Sequence, residues 1–183
     1  MKFTALPLQG AYLIKPEVYS DGRGHFFRYF CKDEFTQIGH TKEWLQCNHS
    51  FTKTKGSIRG MHFQLPPHSE IKMVRCIAGQ VLDVIVDLRK DSPTFLQWNS
   101  VELSAENRNM LYIPEGFAHG FQTLTDNCEL LYHHTALYKP GAEGGLRFND
   151  PRLGINWPIT PTVISERDHN HTLVDNFFEG IKI

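Results

Sequence analysis

Apolar and polar residues alternate over most of this chain, and they almost never recur at a helical interval. Alternation marks strands, because successive side chains on a strand point to opposite faces. The clearest strand is predicted from Gly79 to Arg89, which is rich in β-branched residues and bounded by glycine on one side and Lys90-Asp91-Ser92-Pro93-Thr94 on the other. Within Arg59–Gln64 one face carries Met61 and Phe63 and the other carries His62 and Gln64. Beyond the Pro66-Pro67 turn, Glu70, Lys72 and Val74 share a face. The stretch Trp44–Phe51 aims Gln46, Asn48 and Ser50 one way. Further strands are predicted over residues 8–19, 25–30, 97–103, 110–113, 115–122 and 128–135. Turns fall at Ser20–Gly24, Lys53–Gly56 and Lys139–Gly145, where glycine, proline and small polar residues gather. One short helix is predicted from Lys32, closed by Gly39, and a second begins after Ser165, whose hydroxyl suits a cap. Many short strands with little helix mean an all-β sandwich or barrel. There is no repeat, linker or low-complexity tract, so residues 1–183 read as one domain.

Composition narrows the class. Apolar residues make up 40 % and aromatics 12 %, enough for a sizeable core. A formal charge of −1 with no long basic run argues against a nucleic-acid partner. No stretch approaches the ~18 apolar residues of a membrane span. The apolar run at the N-terminus is broken by Pro7, Gln9 and Gly10, unlike a signal peptide. Cys31, Cys47, Cys76 and Cys128 stand far apart with no CxxC pair, and read as reduced thiols of a cytoplasmic protein.

The richest chemistry lies between Gly56 and Gly79, where Arg59, His62, Gln64, Glu70, Lys72 and Arg75 crowd one span. Polar groups of mixed kind on one sheet face are expensive to bury without a purpose. A wet outer face is the plain alternative. Arg23, set between Gly22 and Gly24, can present guanidinium and backbone N–H groups to an anion; a simple hairpin turn is the competing reading. Gly56-x5-His62-x-Gln64 with Glu70 and Gly79, then Pro114-x-Gly116-x2-His119, resembles the two cupin motifs. That resemblance implies a double-stranded β-helix, or jelly-roll, barrel with a few short peripheral helices. In many cupins these positions ligate a metal. Here Gln64 stands in place of one histidine, which leaves His62, His119 and Glu70 as the candidate ligands.

A second resemblance is more specific. Arg59-Gly60-Met61-His62-Phe63-Gln64, Lys72-Met73-Val74-Arg75, Val86-Asp87-Leu88-Arg89, Ile113-Pro114-Glu115-Gly116-Phe117-Ala118-His119-Gly120-Phe121, Asn149-Asp150-Pro151 and Trp157-Pro158 resemble the dTDP-4-dehydrorhamnose 3,5-epimerase family. The likeness runs from about Asp21 to Asp168 in the family's order. It implies a homodimer without metal or other cofactor, acting on a nucleotide-linked 4-keto-6-deoxy sugar. The catalytic base falls on His62, its orienting carboxylate on Asp168, the general acid on Tyr132, and the group that steadies the enolate on Lys72. Substrate contacts fall on Arg23, Phe26, Gln46, Asn48, Arg59, His119 and Glu143.

These residue types suit the task. A proton beside a ketone needs a base of near-neutral pKa, which histidine supplies. A carboxylate on the far ring nitrogen sets the tautomer. The enolate needs a cation or donor, and inversion needs an acid on the opposite side. The chain departs from the family at Arg28, where glutamate is usual in a substrate-binding position, and at Arg167 and His133, where lysine is usual. Phe148 stands where tryptophan is usual. Arg28 and Arg167 therefore join the candidate substrate contacts. Three functions remain open at this point: a 3,5-epimerase, an epimerase of C3 or C5 alone on a different nucleotide sugar, and a metal cupin.

Overall fold

The computed structural model describes residues Met1–Ile183, and two antiparallel sheets face each other across a shared interior. The first sheet runs in the order β1 (Lys2–Ala5), β2 (Tyr12–Lys15), β10 (Met110–Ile113), β7 (Lys72–Ala78), β12 (Cys128–His134), β5 (Gln46–Thr52). The second runs β13 (Glu143–Gly145), β6 (Ile58–Gln64), β11 (Phe117–Thr123), β8 (Gln80–Asp87), β9 (Trp98–Ser104). A separate hairpin, β3 (Val18–Asp21) with β4 (Gly24–Phe27), pairs with neither. This is the all-β jelly roll that the alternation and the cupin-like motifs lead one to expect. No helix is long and apolar enough to cross a membrane, and the four cysteines are unpaired.

The interior is filled from both sheets. Val74, Cys76, Leu111, Ile113, Cys128 and Leu130 from the first meet Val81, Ile85, Leu103, Phe117 and Phe121 from the second, each at most 4 % exposed. Burial of such side chains stabilises by roughly 1.5–3 kcal/mol apiece. The outer faces are covered as well. Phe35 of α1 (Lys32–Phe35) packs on Ile14, Met73, Met110 and Tyr112 of the first sheet. Leu146, Leu153, Val174 and Ile181 of the C-terminal segment cover Met61, Val84, Val86 and Ala118 of the second.

Several elements differ from the sequence reading. The strand expected over residues 8–19 is broken into β2 and β3 at Pro16, which has no N–H to donate. The aromatic strand expected to reach Phe30 ends at Phe27. Glu143–Gly145, expected within a turn, pairs as β13 with His62–Gln64. Two expectations about termini hold. Gly39, at φ 74°, caps the 3₁₀ turn Thr36–Ile38 that continues α1. Ser165 Oγ accepts from Asp168 N to open α2 (Glu166–His169).

Candidate active site

The polar residues of the site occupy inward positions of strands whose other inward positions are core. On β12, Cys128 and Leu130 point into the apolar interior, and Tyr132 and His134 follow on the same face. On β7, Cys76 and Val74 are core and Lys72 is the next inward residue. On β5, Gln46, Asn48, Ser50 and Thr52 share that face. The period-two geometry of strands thus converts one change of composition, apolar to polar, into a cleft at one end of the sandwich. The cleft has a volume of about 970 Å³.

His62 enters from β6, and its placement depends on the backbone. β6 and β11 pair His119 with His62 and Phe121 with Arg59, so Gly60 and Met61 lie opposite the single residue Gly120. This is the two-against-one arrangement of a β-bulge, which re-aims side chains. Gly60 sits at φ 119°, and a Cβ there would lie 2.6 Å from Gly120 Cα and 2.8 Å from the His119 carbonyl. Only glycine lets the two strands approach this closely.

His62 Nε2 is 2.7 Å from Asp168 Oδ1, and Gly60 N–H donates to Asp168 Oδ2 at 3.0 Å. The Asp168 side chain is 4 % exposed and that of His62 is 36 % exposed towards the cleft. Burial by itself raises the Asp168 pKa, but the His62 and Gly60 hydrogen bonds and the positive charge of His62 and His171 outweigh it and hold the carboxyl at about 2. An ionised Asp168 keeps the ring proton on Nε2 and leaves the Nδ1 lone pair of His62 free to act as a base.

Tyr132 comes from the opposite sheet. Its hydroxyl is 3.0 Å from Ser50 Oγ, and burial pushes its pKa well above that of an ordinary phenol, so it is held as the proton-bearing form. Lys72 is buried and its Nζ lies 3.2 Å from Glu70 Oε1. Glu70 Oε2 accepts from His134 Nδ1 at 2.8 Å, and Asn48 Nδ2 lies 3.3 Å from His134 Nε2. Burial works against ionisation of Glu70, yet His134 and Lys72 together bring its pKa below the ordinary value. The Lys72 ammonium therefore sits against a charged partner, as a buried cation requires.

A second imidazole–carboxylate pair lies deeper. His119 Nε2 is 2.8 Å from Asp83 Oδ1, and the His119 ring stands edge-on to Tyr132 with centroids 6.1 Å apart. Asp83 is fully buried, and burial raises its pKa against the pull of His119. At the rim, Arg59 is held by Thr52 Oγ1 and the Phe51 carbonyl, and Gln46 donates to Asn48 Oδ1. Glu143 accepts from Arg167 Nη2 at 2.9 Å and from the Tyr138 hydroxyl at 3.0 Å.

His62, Lys72, Tyr132, Asp168, Gln46, Asn48, Arg59, His119, Glu143 and Arg167 all line this cleft. Arg23, Phe26 and Arg28 do not. Arg23 lies on the hairpin, 92 % exposed, and is bound only to Asp21. Phe26 on β4 is 73 % exposed. Arg28 forms an ion pair with Glu34 at 2.6 Å, away from the cleft. The metal-cupin set does not converge either: the His, Cys, Asp and Glu donors that come within 4.8 Å of one another are those of His62, Asp168 and His171, without His119 or Glu70. Sequence reasoning missed Asp83 and His134, and it placed Ser50 on the polar face of its strand without a role. Asp83 carried a signal, as an isolated carboxylate inside the most β-branched strand of the chain.

The sequence profile described as dTDP-4-dehydrorhamnose 3,5-epimerase matches residues 5–176. The chain is 45 % identical to the dTDP-4-dehydrorhamnose 3,5-epimerase of Salmonella typhimurium, over 94 % of this chain and 93 % of that protein. Its fold is similar to the Legionella pneumophila dTDP-6-deoxy-D-glucose-3,5-epimerase solved with dTDP-4-keto-L-rhamnose, with a TM-score of 0.92 and 34 % identity over 100 % of this chain and 98 % of that one. It is also similar to a 3'-monoepimerase of Streptomyces bikiniensis solved with dTDP-quinovose, with a TM-score of 0.85 and 36 % identity over 92 % of this chain and 85 % of that one. The chain is a sugar-nucleotide epimerase that belongs to the dTDP-4-dehydrorhamnose 3,5-epimerase family.

Proposed function

We propose that this protein inverts C3 and C5 of dTDP-4-keto-6-deoxyglucose in deoxysugar biosynthesis. The observation that carries the reading is the placement of an imidazole and a phenol on facing sheets of one cleft, His62 from β6 and Tyr132 from β12. His62 Nδ1 removes the proton next to the C4 ketone, and Asp168 stabilises the imidazolium that results. Negative charge moves to the C4 oxygen. The Lys72 ammonium meets it, with His119 beside it, both side chains buried at the wall of the cleft. Tyr132 returns a proton to the opposite face of the carbon. Each inversion leaves His62 with one proton too many and Tyr132 with one too few, and exchange with solvent resets both. Arg59 suits the diphosphate, while Gln46, Asn48, Glu143 and Arg167 suit the sugar and base.

We infer that the active form is a homodimer in which the hairpin of one subunit reaches the cleft of the other. The resemblance assigns Arg23 and Phe26 to the substrate, yet each is exposed and remote from its own cleft. The four unpaired cysteines fit a single cupin-like domain working in a reducing cytoplasm.

Proton NMR of dTDP-4-keto-6-deoxyglucose in deuterated water tests the reaction. Loss of signal at both C3 and C5 is expected. Loss at C3 alone would make the protein a 3-epimerase, the activity of the Streptomyces relative. No exchange at either carbon would overturn the assignment. Mixing Arg23→Ala with His62→Ala tests the dimer: partial recovery of activity is expected, and none would place both residues in one subunit's site.

A further inference from the structure

His171 takes no part in the reaction just described, yet its ring is fixed beside the base. It stands edge-on to His62, with centroids 5.6 Å apart at 74°. Its Nε2 lies 3.6 Å from Asp168 Oδ1, the same oxygen that His62 approaches to 2.7 Å. The ring rests on Gly145 of β13, where any Cβ would collide with it. Its Nε2 is buried and has no hydrogen-bond partner. A buried polar nitrogen without a partner is destabilising unless something occupies it.

One nitrogen of His62, one of His171 and one oxygen of Asp168 all lie within 4.8 Å of one another. Two imidazoles and a carboxylate form a ligand set for divalent transition ions, zinc above all, with bonds of about 2.0–2.2 Å. Small rotations of the two rings bring the three donors to a common centre. A fourth position opens to the cleft past the part-exposed edge of His62.

We propose that His62, Asp168 and His171 form an inhibitory site for a divalent transition ion, with Zn²⁺ as the best fit. The ion takes the Asp168 oxygen and the His62 Nε2 lone pair, and the ring proton moves through solvent from Nε2 to Nδ1. The base then loses its orienting carboxylate and gains a cation, and proton abstraction stops. The site itself stands on geometry; only the inhibition rests on the reading of His62 as the base.

The test uses untagged, chelator-stripped full-length protein. Zn²⁺ binding is measured by equilibrium dialysis, and Co²⁺ binding by the visible absorption of a low-coordinate ion. One ion per chain is expected. His171→Phe keeps a ring on Gly145 without nitrogen donors, and His171→Ala serves if the larger ring prevents folding. Either variant should raise the Zn²⁺ Kd on the order of 100-fold and, measured against its own metal-free turnover, escape inhibition by Zn²⁺. His49→Ala, at a separate exposed pair with Glu129, should leave binding unchanged. A wild-type protein that binds no Zn²⁺ at micromolar concentration, or a His171 variant that binds it as tightly as wild type, overturns the site. Because the binding measurements need no substrate, they decide the site even if the assigned epimerase activity proves absent.

Discussion

Replacing Asp168 by asparagine changes almost no volume and removes one charge, so it isolates what the carboxylate does. The site offers Asp168 two donors, the His62 ring N–H at 2.7 Å and the Gly60 N–H at 3.0 Å. Two carboxylate oxygens satisfy both. An amide has one acceptor and one donor, so one of the two contacts must fail. Because Gly60 N–H is fixed in the backbone, the amide oxygen faces it and the NH₂ faces His62. The His62 Nε2 then has to accept, its proton moves to Nδ1, and the atom that should remove the substrate proton is blocked. By analogy with the aspartate of a serine-protease triad, kcat should fall by about 10⁴, or ~5 kcal/mol in the barrier. Stability changes separately. The carboxyl is depressed from 3.8 to about 2, which at ~1.4 kcal/mol per unit stabilises the fold by roughly 2 kcal/mol. A lowered folded-state pKa stabilises above the unfolded value, so this contribution is complete above about pH 4 and fades as pH falls towards 2. Asp168→Asn should therefore unfold at lower denaturant concentration at pH 7, and the two proteins should converge near pH 2. Solvent-deuterium exchange by NMR and urea unfolding at the two pH values are the assays. A variant whose kcat stays within tenfold of wild type would refute the tautomer argument, whatever its stability.

Lys72→Met should lower kcat by about 10²–10³ with little change in KM, the scale of one lost enolate donor; a change confined to KM would assign Lys72 to ground-state binding instead. Tyr132→Phe should preserve exchange of substrate protons with deuterated solvent while product formation falls by at least about 100-fold, and a variant that still inverts the carbon at a normal rate would remove Tyr132 as the acid. Glu143→Gln frees Arg167 from its 2.9 Å partner and should raise KM for the nucleotide sugar without altering kcat; the kinetics of the two parameters separate this from a chemical role. Arg28→Ala breaks only the pair with Glu34 at the surface, so the urea midpoint should barely move and KM should hold; a several-fold rise in KM would return Arg28 to the substrate.

Much of the fold was legible because strand parity is local. The inward set of β12 and the polar face of β5 can be read from alternation alone, and so can the all-β class. The break at Pro16 and the pairing of Glu143–Gly145 with β6 were harder, since a short strand exists only through its partner. For the site, the resemblance named residues most of which converge in the cleft, but it could not say which of them this chain's own cleft gathers. Arg23 and Phe26 show this limit: both are exposed, and neither lines the cleft that holds His62. The bulge at Gly60 and the pairs His119–Asp83 and His134–Glu70 depend on contacts between distant segments, and no local pattern announces them.

The shared interior between the sheets has a further consequence. His62 and Tyr132 reach the cleft from different sheets, and the side chains that hold those sheets apart are Val74, Leu130, Ile85, Phe121 and their neighbours. Sheets packed face to face stand about 10 Å apart, a gap set by the bulk of the residues between them. The hydrocarbon layer is then a spacer that calibrates the reach from proton acceptor to proton donor. Trimming one of its side chains lets the two walls settle, and stereochemical fidelity should degrade in a protein that still folds and still binds its sugar.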